Sequence, residues 1–99
     1  MYLQVEFEWD PSKNRSNIVK HGIDFETAKL LFDDPHHLAF LDRVTDGEER
    51  WLAIGAISGI AVVVVVHTYR LRHGEEIIRM ISARQASKNE RKLYAETIR

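Results

Sequence analysis

The run "IAVVVVVHTYR" carries five consecutive valines, Val62 to Val66, and it constrains the fold more than any other stretch. β-branched residues favour extended backbone, and a strand that is apolar at every position has no face left for water. Such a strand belongs in the middle of a sheet, with something packed over each of its faces. A chain of 99 residues has room for one sheet and a few helices around one core, so a single domain over residues 1–99 is expected.

Other strands are legible by alternation. In "LQVEFEW", Leu3, Val5, Phe7 and Trp9 share one side while Gln4, Glu6 and Glu8 share the other, the pattern of an edge or near-edge strand with one wet face. "HLAFLD" and "RWLAIGAI" precede the valine strand, with a tight turn at Ser58 and Gly59. A loop holding Arg72, His73 and Gly74 leads to "EEIIRMISAR". Strict alternation there puts Ile77, Arg79, Ile81 and Ala83 on one face and Ile78, Met80, Ser82 and Arg84 on the other, one arginine to each.

Helix signals punctuate the rest. Asp10 can cap and Pro11 can open a helix that runs to His21 and ends at Gly22, with Ile23 beyond it placed to touch Ile18. Ile18 and Val19 are almost its only apolar residues. Lys13, Asn17, Lys20 and His21 line one of its faces, either as a solvated stripe or as part of a site. Asp24 caps a second helix whose Phe25, Ala28, Leu31 and Phe32 face the core before Pro35 stops it. Ser87 and Glu90 form a capping box for a last helix to about Ile98. The order is that of an α+β domain: an N-terminal strand and two helices, an antiparallel β-meander, and a C-terminal helix.

Several function classes drop out. The chain has no cysteine, hence no disulfide framework or thiolate site. Its opening residues are acidic where a secretory signal is basic and then apolar, and the valine run is far short of the roughly 20 residues a spanning helix needs. A cytoplasmic protein without a membrane segment is expected. No Gly-rich phosphate loop, nucleophile elbow or dinucleotide fingerprint is present. His36 and His37 are adjacent and point apart if extended, so neither a metal site nor a cofactor is expected.

Charge is divided unevenly along the chain. Residues 1–49 hold five Lys and Arg against eleven Asp and Glu, whereas residues 50–99 hold nine against four. That polarity fits either a basic working surface for phosphate-bearing partners or halves that interleave in space. Burying an isolated guanidinium is prohibitively costly, so Arg79 and Arg84 must reach solvent, pair with a carboxylate or border an anion site. The end of the valine strand brings His67, Tyr69, Arg70, Arg72 and His73 to the same region if the last two strands form a hairpin. Arginine forks suit phosphate because each binds two oxygens and stays charged; they suit structural ion pairs equally. A basic sheet bearing histidine and tyrosine is compatible with RNA cleavage by the 2′-hydroxyl, which needs a proton acceptor, a proton donor and cations around the phosphorus.

"FEWDPSKNRSNIVKHGIDFETAKLLFDDP", "GEERWLAIG", "VVVVVHTYR" and "IIRMISARQASKNERKLYAE" together resemble the BrnT family of toxins from type II toxin-antitoxin systems, over nearly the whole chain. The resemblance implies a RelE-like fold and a ribonuclease that arrests growth by cutting RNA. It further implies a BrnA-like antitoxin as partner in a hetero-oligomer, with operator DNA contacted only through that antitoxin. Under it, Arg70 and Arg84 are expected to hold the scissile phosphate, and Arg79 and Arg50, with Tyr69 and Arg72, to bind RNA. Lys20, His21 and His67 are the expected proton carriers, with Tyr69 as a further one.

Overall fold

A computed structural model describes residues 5–98. Their order is β1 (Val5–Glu8), α1 (Pro11–His21), α2 (Phe25–Ala28), a 3-10 segment (Lys29–Asp33), β2 (Leu38–Thr45), β3 (Glu48–Ile57), β4 (Ala61–Arg72), β5 (Glu75–Gln85) and α3 (Lys88–Thr97). Leu3 and Gln4, read above as part of the first strand, lie outside the described residues. The strands form one mixed sheet in the order β1-β5-β4-β3-β2. β2 to β5 make the antiparallel meander, and β1 returns to pair in parallel with β5 at the edge. β4 is central, and its Val63, Val64 and Val65 are buried on both sides.

Local chemistry sets the ends of the elements. The Asp10 carboxylate accepts from the Ser12 N–H at 2.9 Å and its hydroxyl at 2.8 Å, and Gly22, at φ 72°, lets its N–H donate back to the Ile18 carbonyl at 2.8 Å. Asp24 caps α2 through the Thr27 N–H, but the expected continuous helix is α only as far as Ala28 and then tightens to 3-10 winding. Phe25, Ala28 and Leu31, all fully buried, recur every third residue, and a winding of three residues per turn keeps such a series in line over the core. The expected loop between β4 and β5 is shorter still: Arg72 pairs with Glu75, and His73 and Gly74 form a two-residue turn with φ of 52° and 81°. Positive φ at both positions matches the right-handed twist of the hairpin, so "LRH" belongs mostly to the strand.

The two faces of the sheet are covered unequally. One carries α1, α2 and the 3-10 segment, with Phe25, Leu31, Val63, Val65, Met80 and Ala83 in a single apolar cluster. Each such large side chain taken from water contributes about 1.5–3 kcal/mol. On the other face, Tyr94 of α3 and Ala86 just before that helix pack against Leu52, Ile54 and Val64, near one end. Strand pairing then sets the sides of β5. His67 opposes Met80 and Val66 opposes Ser82, so Ile81 is an extra, unpaired residue, a β-bulge. The bulge resets the alternation: Ile78, Met80 and Ala83 share the first cluster, while Arg79 and Arg84 come out together on the α3 side. The expectation of one arginine per face is corrected.

Candidate nucleic-acid interface

Beyond α3, the second face of the sheet is a field of arginines built by register. Arg43 opposes Arg50 across β2 and β3, Thr68 opposes Arg79 across β4 and β5, and Arg79 opposes Glu8 across β5 and β1. Two and four residues past Thr68 along β4, on the same face, come Arg70 and Arg72. Arg84 opposes Val64 near α3. Like charges directly opposite one another destabilise a sheet, so the Arg43–Arg50 pair is a cost that packing does not explain. Ile77 is only 1% exposed and Thr68 6% on this face.

Glu8 is the hub of this field. Its Oε1 accepts from Arg70 Nη2 at 3.0 Å and from Arg79 Nη1 at 3.5 Å, and its Oε2 lies 4.0 Å from Arg72 Nη2. One carboxylate thus serves three guanidinium groups, with Glu75 opposite Arg72 and Glu6 on the same side of the sheet. The Nε of Arg50 is the one buried side-chain nitrogen or oxygen without a hydrogen-bond partner among the described residues. Arg84 differs from the others: both its fork nitrogens donate to Glu90, at 2.7 and 2.9 Å. That hydrogen-bonded fork pulls the Glu90 carboxyl down to about 2 and raises Arg84 in turn. Glu90 also accepts from the Ser87 N–H at 2.8 Å, closing the capping box and fixing where α3 starts.

α3 is held at its far side by Tyr94, whose hydroxyl donates to Asp34 Oδ2 at 2.5 Å and is thereby pushed up to about 12. Partial burial opposes the charge of Asp34, but donation from the Ala56 N–H, Tyr94 and the His36 N–H holds its carboxyl below the usual range. These bonds anchor the helix beside the arginine field.

The expected proton carriers sit elsewhere. His67 lies on the helix-covered face, 5% exposed, edge-on to Phe32 at 5.0 Å, and burial lowers its pKa, so it is neutral at pH 7. Tyr69 is on that same face by alternation and donates to Glu76 at 2.6 Å. The expected convergence of His67 and Tyr69 with the arginines is corrected: their odd positions along β4 turn them away from Arg70 and Arg72. Lys20 and His21 line a cleft of about 200 Å³ between α1 and the bulge of β5, together with Lys13, Asn17, Ile81 and Ser82. Ser82 is on the arginine side of the strand by register, but α1 lies over the other face and no described arginine lines the cleft. Sequence reasoning missed Glu8, read only as a wet-face residue, and Arg43, whose part depends on pairing with Arg50.

Among the described residues, no three His, Asp or Glu side chains are grouped as a metal would need, and no helix is long and apolar enough to cross a membrane. A comparison with curated proteins finds no match. Residues 9–90 match the family model for "Ribonuclease toxin, BrnT, of type II toxin-antitoxin system". The fold matches the crystal structure of the Brucella abortus ribonuclease toxin BrnT with a TM-score of 0.59 and 26% sequence identity, over 86% of this chain and 99% of that one. An α+β sheet with an arginine-bearing open face, in a chain that the family model covers from β1's end to the start of α3, therefore belongs to the BrnT family of ribonuclease toxins of type II toxin-antitoxin systems.

Proposed function

We propose that this chain cuts RNA without a metal ion, by attack of a 2′-hydroxyl on the adjacent phosphate, and that the arginine field holds the RNA backbone during the reaction. The observation that carries this reading is the Glu8 carboxylate ringed by Arg70, Arg72 and Arg79. Three guanidinium groups converging on one anionic group describe a place where a phosphate fits. A phosphodiester displacing Glu8 gains bidentate bonds, and the same groups neutralise the extra charge that builds on phosphorus as the 2′-oxygen attacks. Arg50, with its unpartnered Nε, extends the track along the backbone. Arg84 keeps its fork on Glu90 and lends its charge to the scissile phosphate from the α3 end. To Lys20 and His21, which line the cleft between α1 and β5, we assign acceptance of the 2′-proton and return of one to the leaving 5′-oxygen.

Membership of a toxin-antitoxin family implies an antitoxin partner and an RNA target. We assign the antitoxin to the BrnA-like class, with operator DNA contacted through it, growth arrest as the outcome of free toxin, action in the cytoplasm, and a RelE-like fold. The purified chain with single-stranded RNA and a chelator is the test. Cleavage to fragments ending in a 2′,3′-cyclic phosphate supports the reading; RNA retained by the protein but left intact makes the chain a binding module instead.

A further inference from the structure

The two edges of the sheet are treated differently. On one side, β1 pairs with Glu76 to Arg79 of β5, and beyond it the Asn17 side chain bonds both the N–H and the carbonyl of Ala83. That edge is closed. On the other side β2 is the outermost strand, eight residues long, with no described strand beyond it. Open edges of this length are normally shortened, covered or lined with charge, because they template pairing with another chain. This one carries Asp42, Arg43 and a bulge, but beside them it exposes Phe40 at 41%, Leu41 at 45% and Val44 at 58%.

We propose that β2 is the surface through which two copies of this chain pair, edge to edge and antiparallel, about a dyad between Asp42 and Arg43. The segment "FLDRVT" is complementary to itself in that register. Asp42 meets Arg43 of the partner subunit, Leu41 meets Val44 of the partner subunit, and Phe40 meets Thr45 of the partner subunit. Opposite charges and apolar side chains directly opposite one another each favour a pairing.

The bulge makes this register possible. In a regular strand Leu41 and Val44, three residues apart, point to opposite faces, whereas cross-strand partners must share one. Here the pairing of β2 with β3 shifts between Leu41 and Arg43: Leu41 opposes Trp51, and Val44 opposes Glu49. Trp51 and Glu49 are two apart and share a face, so Leu41 and Val44 do as well. Arg43, opposite Arg50, lies on the other face, and its Nε is 3.7 Å from Asp42 Oδ2. A dyad perpendicular to the sheet then brings like face to like face at every pair. It also leaves both arginine fields on the same side of one continuous sheet, a longer basic surface than either copy has alone.

The test is light scattering and sedimentation of the full chain over a concentration series, without antitoxin. A concentration-dependent dimer is expected. Asp42→Arg sets like charges opposite one another at both ends of the dyad and should raise the dimer dissociation constant roughly tenfold or more, since each pair counts twice. The exchanged variant D42R/R43D restores complementarity and should restore the dimer. Because the chain has no cysteine, Leu41→Cys with Val44→Cys should give a disulfide-linked dimer on mild oxidation. A monomer at every concentration overturns the proposal, as does a dimer indifferent to D42R that fails to cross-link. Protection of this edge only when an antitoxin is bound assigns it to that partner and overturns the proposal too. None of these readouts depends on RNA cleavage.

Discussion

Asn17 and Ala83, 66 positions apart, exchange two hydrogen bonds: Asn17 Nδ2 donates to the Ala83 carbonyl at 2.8 Å, and the Ala83 N–H donates to Asn17 Oδ1 at 3.0 Å. A single side-chain amide stands in for a residue of missing strand where β5 outruns β1. The same Nδ2 donates to the Ile23 carbonyl at 2.8 Å, which ties the end of α1 to the sheet. This explains how so polar a helix stays docked: a buried amide, rather than an apolar stripe, fixes its place.

Asn17→Ala strips the buried N–H and carbonyl of Ala83 of their partners and should destabilise the fold by about 2–6 kcal/mol, since each orphaned group costs roughly 1–3 kcal/mol. Asn17→Asp keeps the acceptor for Ala83 but turns a buried carboxylate oxygen towards the Ala83 and Ile23 carbonyls, and should cost at least as much. Urea denaturation midpoints at constant m-value check the order.

Glu90 predicts an acid limb in stability. Its folded pKa, about 2, lies below its ordinary 4.5, chiefly through the Arg84 fork. A depressed folded pKa means that the contribution is fully present above about pH 4.5 and is lost as pH falls towards 2. Thermal melts of the wild type should therefore decline through that window. Glu90→Gln, which breaks the charged fork but keeps an acceptor for the cap, should flatten the decline and cost on the order of 1–2 kcal/mol near neutrality.

Much of the fold was written locally. The valine run placed β4 at the centre, Asp10, Asp24 and Ser87 marked the helix starts, and alternation put β1 at an edge. The bulge at Ile81 had no such signal, since no glycine or proline marks it, and one inserted residue is enough to bring Arg79 and Arg84 to one side. Glu8 was hidden for a different reason: its grouping with Arg70, Arg72 and Arg79 depends on a parallel pairing between the two ends of the chain, which composition cannot encode. His67 was legible and was passed over. Its odd position on β4 already separated it from Arg70 and Arg72.

Gly55 lies against the 3-10 segment, and a Cβ there would stand 2.9 Å from Leu31 Cγ and 3.0 Å from His37 Cβ. Leu31 is fully buried and has nowhere to retreat. Gly55→Ala should cost about 1–3 kcal/mol by overpacking, despite strands generally favouring alanine over glycine. Calorimetry of the variant checks it.

RNA affinity should depend steeply on salt, and removing an arginine that contacts a phosphate should lessen that dependence by about 0.7 in log affinity against log salt. Arg70→Ala and Arg79→Ala should each show it. Lys29→Ala should not, because Lys29 pairs with Glu26 on the helix side. Filter binding at several salt concentrations separates them.

The most direct measurement is single-turnover cleavage of RNA by the variant carrying both Arg70→Ala and Arg79→Ala, with its fold verified by circular dichroism. Both side chains are solvent-facing and bound to Glu8, so the domain should remain folded while cleavage falls by two orders of magnitude or more, roughly what loss of charge stabilisation at phosphorus entails. Cleavage at the wild-type rate by that folded variant would contradict the account.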